Sequence, residues 1–124
     1  MARTVLTVQD IVRTGLEATY SAGDDVNNHS FDNTGENVVL HVKNGATAVN
    51  VTISTPNTVD GLAIADRVVT VAGTSEAIIG PFPNAVYGTV DTDPDPDIDP
   101  AIFVDLDDDS NVTLAALRLP DPSY

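Results

Sequence analysis

Two histidines and many carboxylates are the residues of this chain best suited to chemistry. His29 lies in a turn-rich stretch and His41 lies in an alternating segment, so neither stands at a metal-binding or catalytic-triad spacing. There is no cysteine, no G-x-S-x-G motif and no H-E-x-x-H motif, so no nucleophile with its base is predicted by motif. The glycines form no phosphate-binding fingerprint. We therefore expect no enzyme activity, no catalytic residue and no cofactor.

Aspartates at every odd position from 91 to 99 raise the question of calcium, which prefers oxygen ligands. The EF-hand template fails here. Counted from Asp91, Pro96 stands where glycine must make the sharp turn, and Ile102 stands where a bidentate glutamate is needed. Nonspecific cation accumulation could occur at this stretch or at the second acidic group, which comprises Asp105, Asp107, Asp108 and Asp109. We expect a solvated acidic surface and no specific metal site.

The charge balance is strongly acidic, with 19 acidic residues against 5 basic ones and a formal net charge of -14. Hydrophobic residues still make up 42% of the chain, which predicts a folded core and not a disordered acidic tail. An aspartate-rich, lysine-poor surface suits molar salt, where the Debye length is about 3 Å. The alternative is an ordinary acidic domain at ordinary salt. Nucleic acid is not an expected partner, because phosphate binding depends on clustered Lys and Arg.

Membrane insertion and export are not expected either. No apolar run approaches the ~20 residues of a membrane span. The N-terminal stretch MARTVLTVQD has no apolar run long enough for a secretory signal. We expect the mature chain to begin at or near Met1.

Residues 36–54 carry the clearest secondary-structure pattern and predict a β-hairpin around Asn44-Gly45. A two-residue turn sets Leu40 opposite Val49, whereas a four-residue loop sets Leu40 opposite Val51, and both keep one face apolar. That face needs a second layer to cover it. Its apolar residues are Val38, Leu40 and Val42 before the turn and Val49, Val51 and Ile53 after it.

The remaining pattern completes an all-β prediction: one domain over residues 1–124, folded as an antiparallel β-sandwich or jelly roll of about seven or eight short strands. Thr7 is a weak N-cap for a short helix over Val8 to Thr14, ended at Gly15. Proline at 94, 96 and 100 predicts an extended solvated loop over residues 91–100. The other expected strands lie at residues 3–8, near His29 to Asp32, around Val69 and Val71, at an edge before Gly80-Pro81, and over residues 101–107 and 111–119.

Several blocks of the sequence resemble a family of small head proteins of tailed double-stranded DNA viruses. TVDGLAIADR and IGPFP are the most specific parts, and the others are ARTVLTVQDIVRTGL, NNHSFDNTGENVVLHVKN and VTLAALRL. The resemblance implies a β-sandwich on the virion that decorates or cements the capsid exterior. It also implies the major capsid protein lattice as partner and a homo-oligomer, with a trimer favoured. The DTDPDPDIDP insertion and the acidity depart from the family and favour a virus of a halophilic archaeon.

Alternative functions stay open at the level of sequence. One is a head-tail connector or a structural protein of the tail. Another is a carbohydrate- or surface-binding sandwich, which would need aromatic platforms, but the few aromatic residues are scattered. The N-terminal segment, residues 1–20, is either an arm that docks on a partner or the ordinary first part of the sandwich.

The acidic composition predicts that stability depends on salt. We expect the fold to be stable in molar NaCl or KCl and to loosen near physiological ionic strength, where the 14 net negative charges repel with little screening. Circular dichroism during dialysis from about 3 M to about 0.1 M salt measures this, a range that spans Debye lengths of about 3 to 10 Å. An unchanged spectrum and Tm throughout would contradict the halophilic interpretation.

Overall fold

The structure is a computed structural model, and it describes residues 2–120. It confirms the all-β prediction, with 13 strands and one short helix in the described chain. The strands exceed the expected number because several contain only two or three residues. In chain order the elements are β1 (Thr4–Val5), β2 (Val8–Asp10), β3 (Ser21–Ala22), β4 (His29–Asp32), β5 (Val38–Lys43), β6 (Val49–Ile53), β7 (Thr58–Val59), β8 (Leu62–Ala63), β9 (Arg67–Val71), β10 (Glu76–Ile79), α1 (Asn84–Tyr87), β11 (Thr89–Asp91), β12 (Ile98–Leu106) and β13 (Thr113–Arg118).

Two sheets contain most of these strands. The first has the order β1-β4-β12-β6-β9, with β11 also paired to β12, and the second has the order β10-β5-β13-β2, with β3 also paired to β13. Strands β7 and β8 form a separate small hairpin. The pairs β1-β4 and β2-β13 are parallel, and the remaining pairs in the described chain are antiparallel. The arrangement is therefore sandwich-like, with edge strands on both of its sides.

The predicted hairpin over residues 36–54 is wrong, although its apolar faces are placed as expected. Strand β5 pairs with β10 and β13, whereas β6 pairs with β9 and β12, so the two strands belong to different sheets. Alternation determines which face of a strand is apolar, but it does not determine which strand supplies the hydrogen bonds. Here the two faces meet across the core, where Val38, Leu40, Val42, Val49, Val51 and Ile53 are all buried.

The corner between β5 and β6 is held by Asn44 and Gly45. The Asn44 side-chain amide donates to the carbonyl oxygens of Thr47 and Val71, at 2.7 and 3.0 Å. A side chain on Gly45 would bring its Cβ to 2.6 Å from the Cβ of Asn111, so glycine permits this close approach. The Asn-Gly turn signal therefore marks a crossing between sheets.

The predicted helix over Val8 to Thr14 is also wrong. Val8 begins strand β2, which runs parallel to β13, and its side chain packs against the core. The helix α1 lies much later in the chain. Thr7 and Asp10 do not cap a helix here. The Asp10 carboxylate instead contacts Arg118 at 3.3 Å, and Val8 gains burial as part of a strand.

The loop in the acidic Asp-Pro stretch is shorter than the predicted residues 91–100, because strands include both ends of that range. Asp91 ends β11 and is 2% exposed, and its Oδ2 accepts a hydrogen bond of 2.5 Å from the Ser30 hydroxyl. Residues 98–100 begin strand β12, and the Pro100 carbonyl accepts the Asn33 N–H at 2.9 Å. A proline can stand at the start of a strand, where its missing N–H leaves no gap in the ladder. The loop proper is residues 92–97.

Other details of the sequence prediction are confirmed. Strand β10 is the last strand of its sheet and ends just before Gly80-Pro81, as expected for an edge. In β9, Val71 is buried and Val68 is 56% exposed, which matches the predicted alternation. Both C-terminal strands are present.

The ends of β11 and β12 predict that the acidic loop between them is dispensable for folding. Replacing residues 92–97 with a Gly-Ser connection should leave the Tm within a few degrees, because these residues lie outside the strands. The variant Asp91→Ala should instead destabilise the fold by about 1–3 kcal/mol, because the buried Ser30 hydroxyl loses its acceptor. Thermal and urea unfolding in 3 M KCl would measure both. A large loss of stability in the loop variant would show that residues 92–97 are packed or hold a structural cation.

Candidate functional site

His29 is fully buried and fastens the N-terminal strand to the turn that precedes β4. Its Nδ1 lies 3.1 Å from the Thr4 carbonyl oxygen and its Nε2 accepts the Asp24 N–H at 3.0 Å. A carbonyl only accepts, so Nδ1 carries the proton and the ring is neutral. Burial lowers the pKa of His29, although the Thr4 hydrogen bond and the Asp24 carboxylate act in the opposite direction. Its role in this geometry is structural.

His41 lies on the outer face of β5, between a tyrosine and a glutamate. The Tyr20 hydroxyl is 2.6 Å from Nδ1, and a Glu76 carboxylate oxygen is 2.9 Å from Nε2. The Lys43 ammonium sits 4.0 Å from the centre of the Tyr20 ring, a cation–π contact. Both ring nitrogens of His41 therefore have protein partners.

The carboxylates of the second acidic group are divided among several tasks. Asp105 binds Arg3 at 2.6 Å, and Asp107 accepts the Asn50 N–H at 2.9 Å. Asp108 accepts the Ser110 N–H, and hydrogen bonds from Ser110 lower the pKa of Asp108. Each of these contacts joins segments of the chain or closes a turn.

One grouping of three carboxylates lies within 4.8 Å among the residues that the structure describes, and it consists of Asp25, Asp108 and Asp109. Burial raises the pKa of Asp25, and the neighbouring Asp109 and Asp108 raise it further. Asp109 also accepts the Asp25 N–H at 3.2 Å. The sequence did not reveal this grouping, because Asp25 and Asp108 are 83 positions apart and only the fold brings them together.

A groove of about 640 Å³ opens beside the C-terminal end of β13. It combines apolar side chains with two arginines, and Asp10 and Arg118 form an ion pair within it. The Arg118 Nε and the Asn37 Oδ1 are buried and have no hydrogen-bond partner in the described part of the chain. Its lining residues are Asp10, Ile11, Val12, Arg13, Thr14, Asn37, Arg118, Leu119 and Pro120.

The hairpin of β7 and β8 presents an apolar pair to solvent. Val59 and Leu62 face each other across the hairpin and are 53% and 71% exposed. Asp60 and Gly61 form the tip with φ angles of 52° and 76°, the positive values that a type I′ turn requires. No hairpin was predicted in this segment, although an Asp-Gly pair between two apolar residues is a hairpin signal.

The base of this hairpin is held by side-chain hydrogen bonds. The Thr55 hydroxyl donates to the Ile64 carbonyl oxygen at 2.6 Å, and the Asp66 carboxylate accepts the Thr55 N–H at 2.9 Å. The Asn57 amide donates to the carbonyl oxygens of Asn84 and Gly88, at 3.1 and 3.0 Å. The hairpin therefore projects from an anchored base and offers an apolar tip.

Comparison of the chain with protein-family models, curated proteins and solved structures gave no match. Among the described residues no helix is long and apolar enough to cross a membrane.

The environment of His29 predicts a pH dependence. The folded state lowers the pKa of His29 below its ordinary 6.5, so the unfolded chain binds the extra proton first. The contribution of His29 to the free energy of unfolding should therefore be constant well above pH 6.5 and should fall as the pH drops below 6.5. A further loss is expected below pH 3.8, because hydrogen bonds from Asn27 and Thr4 lower the pKa of Asp24 to about 2.

Urea unfolding in 3 M KCl at several pH values, with NMR titration of the imidazole protons, would measure these changes. His29 should stay neutral at a pH where an exposed histidine is half protonated. A measured pKa for His29 at or above 6.5 would contradict the buried neutral ring.

Proposed function

We propose that this protein is a structural protein of a tailed virus that binds the exterior of the capsid lattice and reinforces it. In this role it acts as a small oligomer, with a trimer the expected state, and it belongs to the virion of a halophilic archaeal virus. The sequence resemblance to small head proteins is the first support. The acidic composition, which suits molar salt, supports the halophilic host.

The observation that carries the proposal is the placement of the TVDGLAIADR block. This most specific part of the resemblance forms the exposed hairpin β7-β8 and the residues leading into β9. Val59 and Leu62 contribute little to the core, since both are more than half exposed. An exposed apolar pair on an anchored base is a surface suited to a protein partner.

The proposed contact is weak in each copy and gains strength from repetition. Two apolar side chains bury a small area, but several copies held together on a lattice gain affinity through effective concentration. Molar salt screens carboxylate repulsion and leaves apolar contacts in place. An acidic protein can therefore bind a capsid under these conditions through an apolar tip.

The alternatives have less support. A head-tail connector or tail protein would use the same hairpin, and no observation favours that position. For carbohydrate binding, the aromatic rings are poorly placed as platforms. Phe31 and Phe82 are buried, and Arg3 and Lys43 cover the rings of Phe103 and Tyr20 at 4.0 Å.

The N-terminal segment is a difficult place to test for lattice contact. Its Leu6 side chain is 2% exposed within the core, and Arg3 binds Asp105. Deleting residues 2–8 would remove these contacts as well as any contact with the lattice. Substitutions at the hairpin separate binding from folding more clearly.

The hairpin predicts a selective loss of capsid binding. Val59→Lys combined with Leu62→Lys should weaken binding to purified heads that lack the protein by about tenfold or more, equivalent to about 1.4 kcal/mol. The Tm should change little, because both side chains are exposed. Cosedimentation with heads in 3 M KCl measures binding, and circular dichroism measures folding.

A matched control is Val26→Lys with Val90→Lys, which adds the same charge at residues that are 69% and 42% exposed. These positions lie outside the hairpin, so the control should bind heads more tightly than the hairpin variant does. Equal binding by both variants would contradict the assigned contact, and no binding by the unmodified protein would contradict the function.

A further inference from the structure

Each side of the sandwich ends in strands that lack a neighbour on their outer edge within the described chain. On one side these are β9 and β10, the last strands of the two sheets, which we call the β9–β10 rim. On the other side they are β1 and β2, which we call the β1–β2 rim. Open strand edges are templates for pairing with another chain.

Both rims are poor in acidic residues. Residues 67–79 contain one arginine and one glutamate, and residues 2–16 contain two arginines and one aspartate. Of the chain's 19 acidic residues, 17 lie outside these two ranges. The two within them are partnered, since Glu76 contacts His41 and Asp10 contacts Arg118.

The β1 strand directs the backbone N–H and C=O of one residue, Val5, away from the sheet. The N–H groups of Thr4 and Leu6 donate toward β4, to the carbonyl oxygens of Asn28 and Ser30, each at 2.8 Å. Because peptide groups alternate along a strand, those of Val5 point toward the open edge. Strand β9 offers a longer edge of five residues at the opposite side of the same sheet.

Each of these edges carries an exposed valine on the outer face of that sheet. Val68 of β9 is 56% exposed and alternates with Val69 and Val71, which pack in the core. Val5 of β1 is 40% exposed and precedes the buried Leu6. If the two edges were joined, Val68 and Val5 would lie on the same face as neighbours across the new pair of strands.

We propose that the β9 edge of one copy pairs with the β1 edge of a second copy, which places Val68 of the first beside Val5 of the next. A second copy is the occupant that the charges favour. Contact between the acidic surfaces of two copies would desolvate unpaired carboxylates, a cost that molar salt does not remove, so two copies pack at the nearly neutral rims. A strongly basic partner would bind the acidic loops instead.

This pairing joins two different surfaces, so the interface is heterologous and closes into a ring when the rotation between copies permits. The inference deepens the proposed function, because it rests on the small oligomer expected there and identifies its interface. It concerns the purified protein alone and can therefore be tested without capsids. Oligomers that form through these rims but fail to bind heads would contradict the capsid role and would still support the proposed interface.

A cross-linking experiment tests the pairing directly, since the chain has no cysteine. Single variants Val5→Cys and Val68→Cys would be prepared, mixed and oxidised in 3 M KCl. Side chains directly opposite on neighbouring strands have Cβ atoms about 4.5–5.5 Å apart, close enough for a disulfide after a small adjustment. The mixture should form covalent dimers at least about tenfold faster than either variant alone.

Two controls and a mass measurement complete the test. Val26→Cys, at a residue 69% exposed in the turn before β4, should not cross-link with either variant. Light scattering of the unmodified protein in 3 M KCl should show an oligomer, and Val68→Lys and Val5→Lys should each weaken it at least about tenfold. A monomer at all concentrations, or Val68→Cys reacting with itself as fast as with Val5→Cys, would overturn the proposal. Equal cross-linking by Val26→Cys would also overturn it.

Discussion

The apolar layer between the two sheets is the contact on which the rest of the structure depends. It joins the inner faces of β5 and β6 with those of β12 and β13 and includes Phe31. Burying a side chain such as valine or leucine contributes about 1.5–3 kcal/mol relative to exposure. This contribution must offset the mutual repulsion of a chain with a net charge of -14 as well as its conformational entropy. The fold therefore keeps the inner faces uncharged and places nearly all acidic groups in loops and on outer faces.

Several carboxylates also form hydrogen bonds or ion pairs that link segments of the chain. Asp105 holds Arg3 at the N-terminus, Asp91 accepts from Ser30 within the first sheet, and Asp24 closes the turn before His29. These groups use hydrogen bonds and local charge pairs, so their contribution persists where salt screens longer-range repulsion. The aspartates of this protein therefore stabilise the fold through specific contacts as well as forming its acidic surface.

The sequence predicted the faces of the strands better than their partners. The alternation around Val38 and Val51 identified which side chains are buried, because that property depends on a single strand. Pairing depends on distant strands, and β5 hydrogen-bonds to β13, which is 70 to 80 residues away, so a local Asn-Gly turn was misleading. The helix expected after Thr7 failed for a similar reason, since packing of Val8 against the core outweighs a weak capping pattern.

The surfaces proposed for function could be predicted only in part from the sequence. The hairpin at Asp60-Gly61 had a readable turn signal, and its exposure required the fold. The edge at β10 was predicted from Gly80-Pro81, but β9 carries no such local signal, so the rims as a whole required the strand order. The grouping of Asp25 with Asp109 likewise arises from tertiary structure alone.

Cryo-electron microscopy of purified virions tests the proposed role most directly. The expected result is many symmetry-related copies of this sandwich on the outside of the head, with the hairpin of Val59 and Leu62 against the capsid lattice. Copies found only in the tail, or virions that lack the protein, would contradict the proposed role.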